Sequence, residues 1–223
     1  MIGGTSWHST IEYYRLINEG VSEKIGTQGN PPLIIYSINI ELMREQNVDK
    51  INAKYLEVSQ KLEKAGADAI VICANTPHMV YVFVQPKITI PILHIAYATG
   101  KGIARLGLKK IGLLGNRPTM TKGFIQSQLK DKYDIETIVP EERYIETCHS
   151  YVSKELTQGK FTESAKEFFL EQMQLLKRRG AEGIILGCTE LPMLVSESDF
   201  DQPLFATTQL HAQMAVNFIL SND

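Results

Sequence analysis

Short polar clusters stand directly after apolar runs of this chain, where residues able to do chemistry would meet. Three of them are Gly3-Gly-Thr-Ser6, Asn75-Thr-Pro-His78 and Cys188-Thr-Glu190, and a fourth turn, Gly115-Asn-Arg-Pro-Thr119, leads into a helix. Hydroxyl groups and the N-terminal amides of helices can hold a carboxylate, and a cysteine thiol can carry a proton. Each cluster alone is typical of an ordinary turn or helix cap, so only their convergence indicates a site.

The elements that must position these clusters alternate along the chain. Four apolar runs are typical of buried parallel strands. They cover residues 33–38, 69–74, 111–115 and 183–188. Amphipathic segments with helical spacing lie between them, at 9–24, 50–65, 120–131 and 163–179. This alternation predicts an α/β fold with parallel sheets, and ligands of such sheets bind just outside the carboxyl ends of the strands.

The sequence also contains an internal repeat. The segment around Gly66 aligns without a gap on the segment around Gly180, an offset of 114 residues. Two further matches hold at an offset of 112, Met1-Ile-Gly3 on Leu113-Leu-Gly115 and Pro91-Ile-Leu on Pro203-Leu-Phe205. Three matches in one order predict two pseudo-symmetric half-domains, each with a parallel sheet.

The predicted half-domains have these bounds. The N-terminal half-domain covers 1–97 plus a returning C-terminal helix in 208–223, and the C-terminal half-domain covers 98–207. In the second half, Lys110-Ile-Gly precede the Leu-Leu-Gly that matches Met1-Ile-Gly3. We therefore expect either that a few upstream residues are missing or that the first strand is unusually short, and we favour the former.

Composition excludes several classes of function. The chain has 223 residues, of which 43% are hydrophobic, and a net charge of −2. The near-neutral charge predicts no nucleic-acid partner, and no apolar run approaches the roughly 20 residues of a membrane span. The first residues do not resemble a signal peptide, and three separated cysteines without a CxxC pair predict reduced thiols in the cytoplasm. Cys148, His149 and His211 have no partner at metal-ligand spacing, so no metal is expected.

The motifs resemble the cofactor-independent aspartate/glutamate racemase family, and more closely its broad-specificity amino-acid racemase branch. The residues that carry the resemblance are Gly3-Gly-Thr-Ser-Trp-His-Ser-Thr-Ile-Glu-Tyr-Tyr14, Asn75-Thr-Pro-His78 and Leu186-Gly-Cys-Thr-Glu190, and the similarity runs through the whole chain. The resemblance implies an isomerase that acts on aspartate, glutamate or a related amino acid without metal or organic cofactor. It also implies flavodoxin-like half-domains with the active site between them, and it suggests a homodimer.

In that family, one cysteine on each face of the substrate exchanges the α-proton. The resemblance places Cys188 in one of the two positions. The other, immediately before the Asn-Thr pair, is Ala74 here, and the internal offset of 114 also places Ala74 opposite Cys188. Cys73 falls opposite Gly187, and because strand side chains alternate we expect Cys73 to pack in the core.

The resemblance also assigns substrate contacts. It makes Asn75 and Thr76 ligands of the substrate's α-carboxylate and amino group, and Thr189 a further carboxylate contact. Ser6 and Thr119 are candidate contacts at the two Gly-rich turns, with helix capping as the rival interpretation.

The remaining candidates are groups that could carry protons or shift the acidity of their neighbours. The resemblance makes Glu190 a tuner of nearby groups, although Thr189 and Glu190 could instead cap the following helix. It places His78 at the pocket, where the ring could orient or protonate a group on the Ala74 side; the alternative is a first-turn residue that faces solvent. His94 is expected to be structural and His211 an ordinary residue.

The leading hypothesis is therefore an amino-acid racemase with only half of the usual thiol pair. Its second proton carrier would be water, His78 or a displaced Cys73, and we expect slow or one-directional turnover. A second hypothesis is a one-cysteine decarboxylase or isomerase-like enzyme of the wider superfamily, in which Cys188 protonates an enolate. A third is a weakly active binding protein for an amino acid or dicarboxylate.

Overall fold

The computed structural model describes residues 1–221, which form two compact units. The first unit comprises Met1–His94 together with the C-terminal residues from His211 onward, and the second comprises Ile95–Leu210. Residues 222 and 223, the end of the predicted segment 208–223, lie outside the described part of the chain. The fold is mixed α/β with parallel sheets, as the alternating pattern predicted.

The sheet of the first unit is built around a very short strand. Strand β1 (Ile2–Gly3) pairs in parallel with β2 (Tyr36–Ser37). Two isolated parallel bridges, Ile2 to Ile72 and Ile70 to Ile92, continue the sheet on the other side. The predicted strands at 33–38 and 69–74 are therefore regular over fewer residues than expected, because β1 offers only two residues for pairing.

The second unit has a complete four-stranded parallel sheet in the order β4-β3-β5-β6. Its strands are β3 (Lys110–Leu114), β4 (Glu136–Ile138), β5 (Ile184–Leu186) and β6 (Leu204–Ala206). All three pairings are parallel, and β3 and β5 are the two inner strands.

The sequence repeat reappears as strand register. The bridge between Ile2 and Ile72 corresponds, at offsets of 112 and 114, to the pair Leu114 and Leu186 in the second unit. The bridge between Ile70 and Ile92 corresponds in the same way to Ile184 and Leu204. The two units therefore repeat one arrangement of strands, and residues matched by the offsets occupy equivalent places.

Eleven helices of the described residues surround the sheets. They are α1 (Trp7–Ile25), α2 (Glu41–Arg44), α3 (Val48–Lys64), α4 (Tyr81–Val84), α5 (Ile95–Arg105), α6 (Arg117–Thr121), α7 (Gln126–Tyr133), α8 (Glu142–Lys154), α9 (Glu163–Arg178), α10 (Leu191–Leu194) and α11 (Thr207–Ser221). Short 3-10 segments cover Thr76–Val80, Gln85–Lys87 and Leu156–Gln158. Among residues 1–221, no helix combines the length and the apolar character that crossing a membrane requires.

Local signals explain where several helices begin and end. Helices α1, α3 and α9 begin at side-chain N-caps supplied by Ser6, Asn47 and Thr162, a contact that stabilises a helix by about 1 kcal/mol. The predicted single helix over 120–131 is wrong, because the chain forms α6 and α7 there. Gly123 lies between them with φ +75°, a left-handed conformation that ends a helix and that glycine adopts without strain.

The first unit has two apolar clusters, one on each face of its sheet. Ile70 and Ile72 belong to a cluster with Tyr55, Val58 and Leu62 of α3. The alternate residues Val71 and Cys73 belong to a cluster with Tyr13 and Ile17 of α1 and Ala212 and Ala215 of α11. Alternation along the strand therefore sends Cys73 into the core, which confirms its predicted packing role.

Candidate functional site

In the second unit, the candidate site begins where β5 ends. The Gly187 amide donates to the Leu114 carbonyl at 2.7 Å, which extends the β3–β5 ladder by one bond. A Cβ atom at position 187 would lie 2.6 Å from that carbonyl oxygen, so only glycine permits this approach. Cys188 follows directly, at the carboxyl edge of the sheet, where ligands of parallel sheets bind.

The Cys188 thiol has a carboxylate partner two residues away. Its Sγ donates to Oε2 of Glu190 at 2.9 Å, and the two residues are only 9% and 7% exposed. Glu190 is the N-terminal flanking residue of α10 but makes no side-chain cap. The alternative in which Glu190 merely caps this helix is therefore wrong, because its carboxylate turns back to the thiol.

The environment holds the proton on the sulfur. Burial raises the pKa of the Cys188 thiol well above its usual value, and the charge of Glu190 together with its hydrogen bond raises it further. The hydrogen bond from Sγ to Oε2 is also the contact expected of a thiol that keeps its proton. The thiol of Cys188 is therefore the hydrogen-bond donor of the pair, and Glu190 is its acceptor.

The Gly115–Thr119 turn lies beside this pair, because it follows β3, the neighbour of β5. Asn116 caps α6 by accepting the Thr119 amide at 3.0 Å. The Thr119 side chain is buried, and Cβ atoms built on Gly115 and Gly187 would approach its Cγ2 to 3.2 and 3.1 Å. Thr119 therefore packs against both glycine turns, and a substrate contact, which stays a prediction, would require its side chain to turn outward. Thr189 is half-buried at the same edge.

In the first unit, the Gly3–Ser6 turn follows β1. Gly4 has φ +88°, and a Cβ atom there would lie 2.0 Å from the Ile38 carbonyl oxygen, so the turn requires glycine. The Ser6 hydroxyl accepts the Ser9 amide at 3.3 Å, which supports the capping interpretation of Ser6 beside its predicted ligand role. The Thr5 hydroxyl bonds the buried hydroxyl of Tyr55 at 2.9 Å, which ties this turn to α3.

The Ala74–Thr76 turn lies next to it, since Ile2 bridges to Ile72. Asn75 is buried, while Ala74 and Thr76 are half-buried. Cys73 points away from this turn, and burial raises the pKa of its thiol to about 12. A displaced Cys73 is therefore not supported as a second proton carrier.

His78 is buried completely beneath this turn. Its Nδ1 donates to the Ala74 carbonyl at 2.9 Å, and its ring stacks edge-to-face on His94 and His211. The alternative of a solvent-facing His78 is thus wrong. Burial lowers the pKa of His78 to about 4, so at neutral pH the ring is uncharged and its one N–H is already engaged. These contacts suit a role in orienting the Ala74 backbone better than a role in carrying protons.

The sequence interpretation missed the role of His211. Its Nδ1 accepts the Tyr13 hydroxyl at 2.8 Å and its Nε2 donates to the Leu93 carbonyl at 2.6 Å. The available signal was the position of a histidine on the apolar side of the last helix, beside Ala212 and Ala215. Within residues 1–221, no group of three or more potential metal ligands comes together.

Comparison with known proteins finds relatives over most of the chain. The family described as Asp/Glu/Hydantoin racemase matches residues 2–215. The broad specificity amino-acid racemase RacX of Bacillus subtilis (strain 168) is 24% identical over 195 residues, which are 86% of this chain and 83% of that protein.

Two crystal structures are similar over nearly their whole length. A Yersinia pestis protein assigned as an Asp/Glu racemase superposes with a TM-score of 0.92 at 37% identity, covering 98% of this chain and 97% of that one. An aspartate racemase homologue from Pyrococcus horikoshii OT3 superposes with a TM-score of 0.85 at 32% identity, with the same coverage of 98% and 97%.

Proposed function

Because the chain belongs to the Asp/Glu/hydantoin racemase family, we propose that it is an amino-acid racemase in which Cys188 carries the α-proton. The substrate is aspartate, glutamate or a related amino acid, and no metal or organic cofactor takes part. The observation that carries this proposal is the buried contact between Cys188 Sγ and Glu190 Oε2 at the end of β5.

The contact supplies a way to move a proton without exposing charge to solvent. Glu190 takes the thiol proton, the resulting thiolate removes the α-hydrogen, and the electron pair passes to the α-carbon and its carboxylate. In the proposed function, Asn75 and Thr76 of the first unit bind the α-carboxylate and amino group, and Thr189 of the second unit is a further carboxylate contact. The α-hydrogen is weakly acidic, so donors aimed at the developing charge are as important as the base. In the reverse direction, the Cys188 thiol returns a proton to the same face.

The opposite face is where this chain departs from the two-thiol scheme. Ala74 has no ionisable group, Cys73 points into the core, and His78 is neutral with its N–H bonded to a carbonyl. Water is then the remaining candidate of the three for second proton carrier. We expect proton exchange on the Cys188 face to be faster than inversion of configuration.

The same observations favour a second candidate function. A buried thiol with a raised pKa is a proton donor at rest, and a one-sided donor needs no partner at Ala74. A one-cysteine enzyme that protonates an enolate, formed for example when a substituted malonate loses CO₂, would use this arrangement directly.

Isotope exchange tests the proposal. The protein is incubated in deuterated water with L- and D-aspartate and L- and D-glutamate, the loss of the α-proton is followed by NMR, and configuration is measured by chiral chromatography. Cys188→Ser should lower exchange by about 10³-fold. Cys148→Ser, which changes a buried cysteine of the same unit, serves as the control. Exchange that persists in Cys188→Ser would overturn the assignment. Absence of exchange together with Cys188-dependent decarboxylation of a substituted malonate would establish the second function instead.

A further inference from the structure

Two neighbouring strand ends of the first unit are held by buried histidines. The Ala74 carbonyl accepts from Nδ1 of His78 at 2.9 Å, and the Leu93 carbonyl accepts from Nε2 of His211 at 2.6 Å. Carbonyl oxygens only accept, so these two nitrogens carry the ring protons. A buried carbonyl without a partner is costly, and at a strand end the sheet no longer provides one. The two histidines satisfy both carbonyls.

The histidines are connected to each other and to the first helix. With its proton on Nε2, His211 presents Nδ1 as an acceptor, and the Tyr13 hydroxyl of α1 donates to it at 2.8 Å. The rings of His78 and His211 meet edge-to-face with centroids 5.1 Å apart, and His94 lies 4.8 Å from His78 on another side. Tyr13 and all three histidines are buried. The chain of contacts Tyr13–His211–His78 therefore ends at the Ala74 backbone.

The strand end equivalent to Ala74 in the second unit needs no histidine. The Cys188 carbonyl there accepts from the Leu191 amide at 3.2 Å. Position 192, which the offset of 114 matches to His78, is a proline. Among residues 1–221, the buried histidines all lie in the unit that has alanine at the position equivalent to Cys188. Apolar rings would fill the same space without desolvating polar groups.

We propose that His211 and Tyr13 are positioning residues that act through His78. They fix the Ala74 carbonyl and thereby the orientation of Asn75 and Thr76, which follow it in the chain. This inference rests on the proposed function, in which Asn75 and Thr76 hold the substrate's α-carboxylate and amino group. Neither His211 nor Tyr13 touches the substrate or its α-proton.

A thiol introduced at position 74 reports the position of the Ala74–Thr76 turn independently of any activity. In the Ala74→Cys background, the alkylation rate at position 74 is measured by peptide mass spectrometry, which separates it from the three buried native cysteines. His211→Leu should change this rate by about fivefold or more, because the thiol moves relative to its neighbouring dipoles. Val58→Ala, a core truncation of α3 on the other face of the same sheet, should change it by less than about twofold.

Smaller variants separate positioning from loss of folding. His211→Gln keeps one donor and one acceptor on the side chain and should restore the rate to near that of the parent. Tyr13→Phe removes only the hydroxyl and should shift the rate in the same direction as His211→Leu, to a smaller extent. If Val58→Ala and His211→Leu change the rate equally at matched melting temperature, or if neither changes it, the positioning role is overturned.

Substrate kinetics in the native Ala74 background complete the test. His211→Leu should raise the amino-acid concentration at half-maximal α-proton exchange by about tenfold, with a much smaller change in the maximal rate. A change confined to the maximal rate would contradict the inference. If the wild-type chain exchanges no α-proton but the thiol at position 74 still responds to His211→Leu, the proposed function fails while the positioning network stands.

Discussion

The strand ends at Ala74 and Cys188 occupy equivalent places in their units, yet their surroundings differ in kind. Cys188 has a buried carboxylate in hydrogen-bond contact, which keeps its proton on sulfur. Ala74 has no ionisable group, and the histidine beneath it is neutral and holds the backbone. In the proposed function, the Cys188 strand end carries a proton while the Ala74 strand end holds a turn in place. A repeated arrangement of strands does not imply repeated chemistry.

The same contrast explains why Cys73 does not replace the missing thiol. Cys73 corresponds to Gly187, where a Cβ atom would meet the Leu114 carbonyl at 2.6 Å. In the first unit the side chain at this position instead lies among the residues of α1 and α11. A shift of one residue along a strand moves a side chain to the other face of the sheet, so a cysteine at 73 cannot act for one at 74.

The largest effect should come from removing the one thiol at a strand end. Cys188→Ser should lower α-proton exchange by about 10³-fold. A serine hydroxyl is far less acidic than a thiol, so Glu190 cannot remove its proton to form the base that attacks the α-hydrogen. NMR in deuterated water measures the rate, and the melting temperature shows whether the fold is kept. Retained exchange would mean that Cys188 does not carry the α-proton.

Placing a second thiol at position 74, opposite Cys188 in the repeat, should have the next largest effect. Ala74→Cys should raise the rate of inversion relative to exchange by about 10²-fold, since it supplies an acid on the second face. Chiral chromatography measures inversion. Ala74→Ser, which adds a similar volume without a comparable acid, is the matched control, and an equal gain in both variants would show that size rather than proton transfer is responsible.

Neutralising the Glu190 carboxylate should change both the exchange rate and the pKa of Cys188. Glu190→Gln should lower exchange by about tenfold, because the acceptor of the thiol proton is lost. It should also lower the pKa of Cys188, because the charge of Glu190 raises it. The pH profile of Cys188 alkylation should therefore move to lower pH, whereas movement to higher pH would refute the assigned effect of the carboxylate.

The buried histidines predict an acid-sensitive first unit. Burial lowers the pKa of His78 to about 4, and burial followed by the neighbouring His78 lowers that of His211 to about 3. Both lie below the unfolded value of about 6.5, so the unfolded chain binds these protons first and stability falls as pH drops from about 6.5 toward 4.

A variant isolates this effect. His211→Gln should make the pH dependence of the unfolding free energy shallower by up to one proton, or about 1.4 kcal/mol per pH unit. Urea unfolding between pH 7 and 4 measures it. An unchanged slope would mean that His211 does not stay neutral in the folded unit.

The smallest effect concerns a buried side chain of the second unit. Gln172 of α9 is buried, and neither its Oε1 nor its Nε2 has a hydrogen-bond partner among the described residues, while its repeat counterpart is Val58. Gln172→Leu should raise the unfolding free energy by about 1–2 kcal/mol, since an unsatisfied buried amide is removed. Denaturant unfolding measures the gain, and a loss of stability would show that the amide has a partner in solution.

Much of the fold could be predicted because its signals are local. Apolar runs and helical spacing located most of the elements, and two fixed offsets anticipated the register of Ile2 with Ile72 and Leu114 with Leu186. The error at 120–131 came from spacing that continued through Gly123, whose backbone conformation ends the helix. Periodicity describes which face of a segment is apolar, but it does not show whether the segment is continuous.

The repeat, the polar strand ends and the correspondence of Ala74 with Cys188 are visible in the sequence, because they depend on residue type and on spacing along the chain. The direction of the Glu190 side chain toward the thiol and that of His78 into the core became clear from the three-dimensional packing, since two side-chain directions were open at each position. That packing alone joined His211 to Tyr13, which are 198 residues apart in sequence. A hydrogen bond between such distant residues depends on how the helices pack, and no local pattern encodes that.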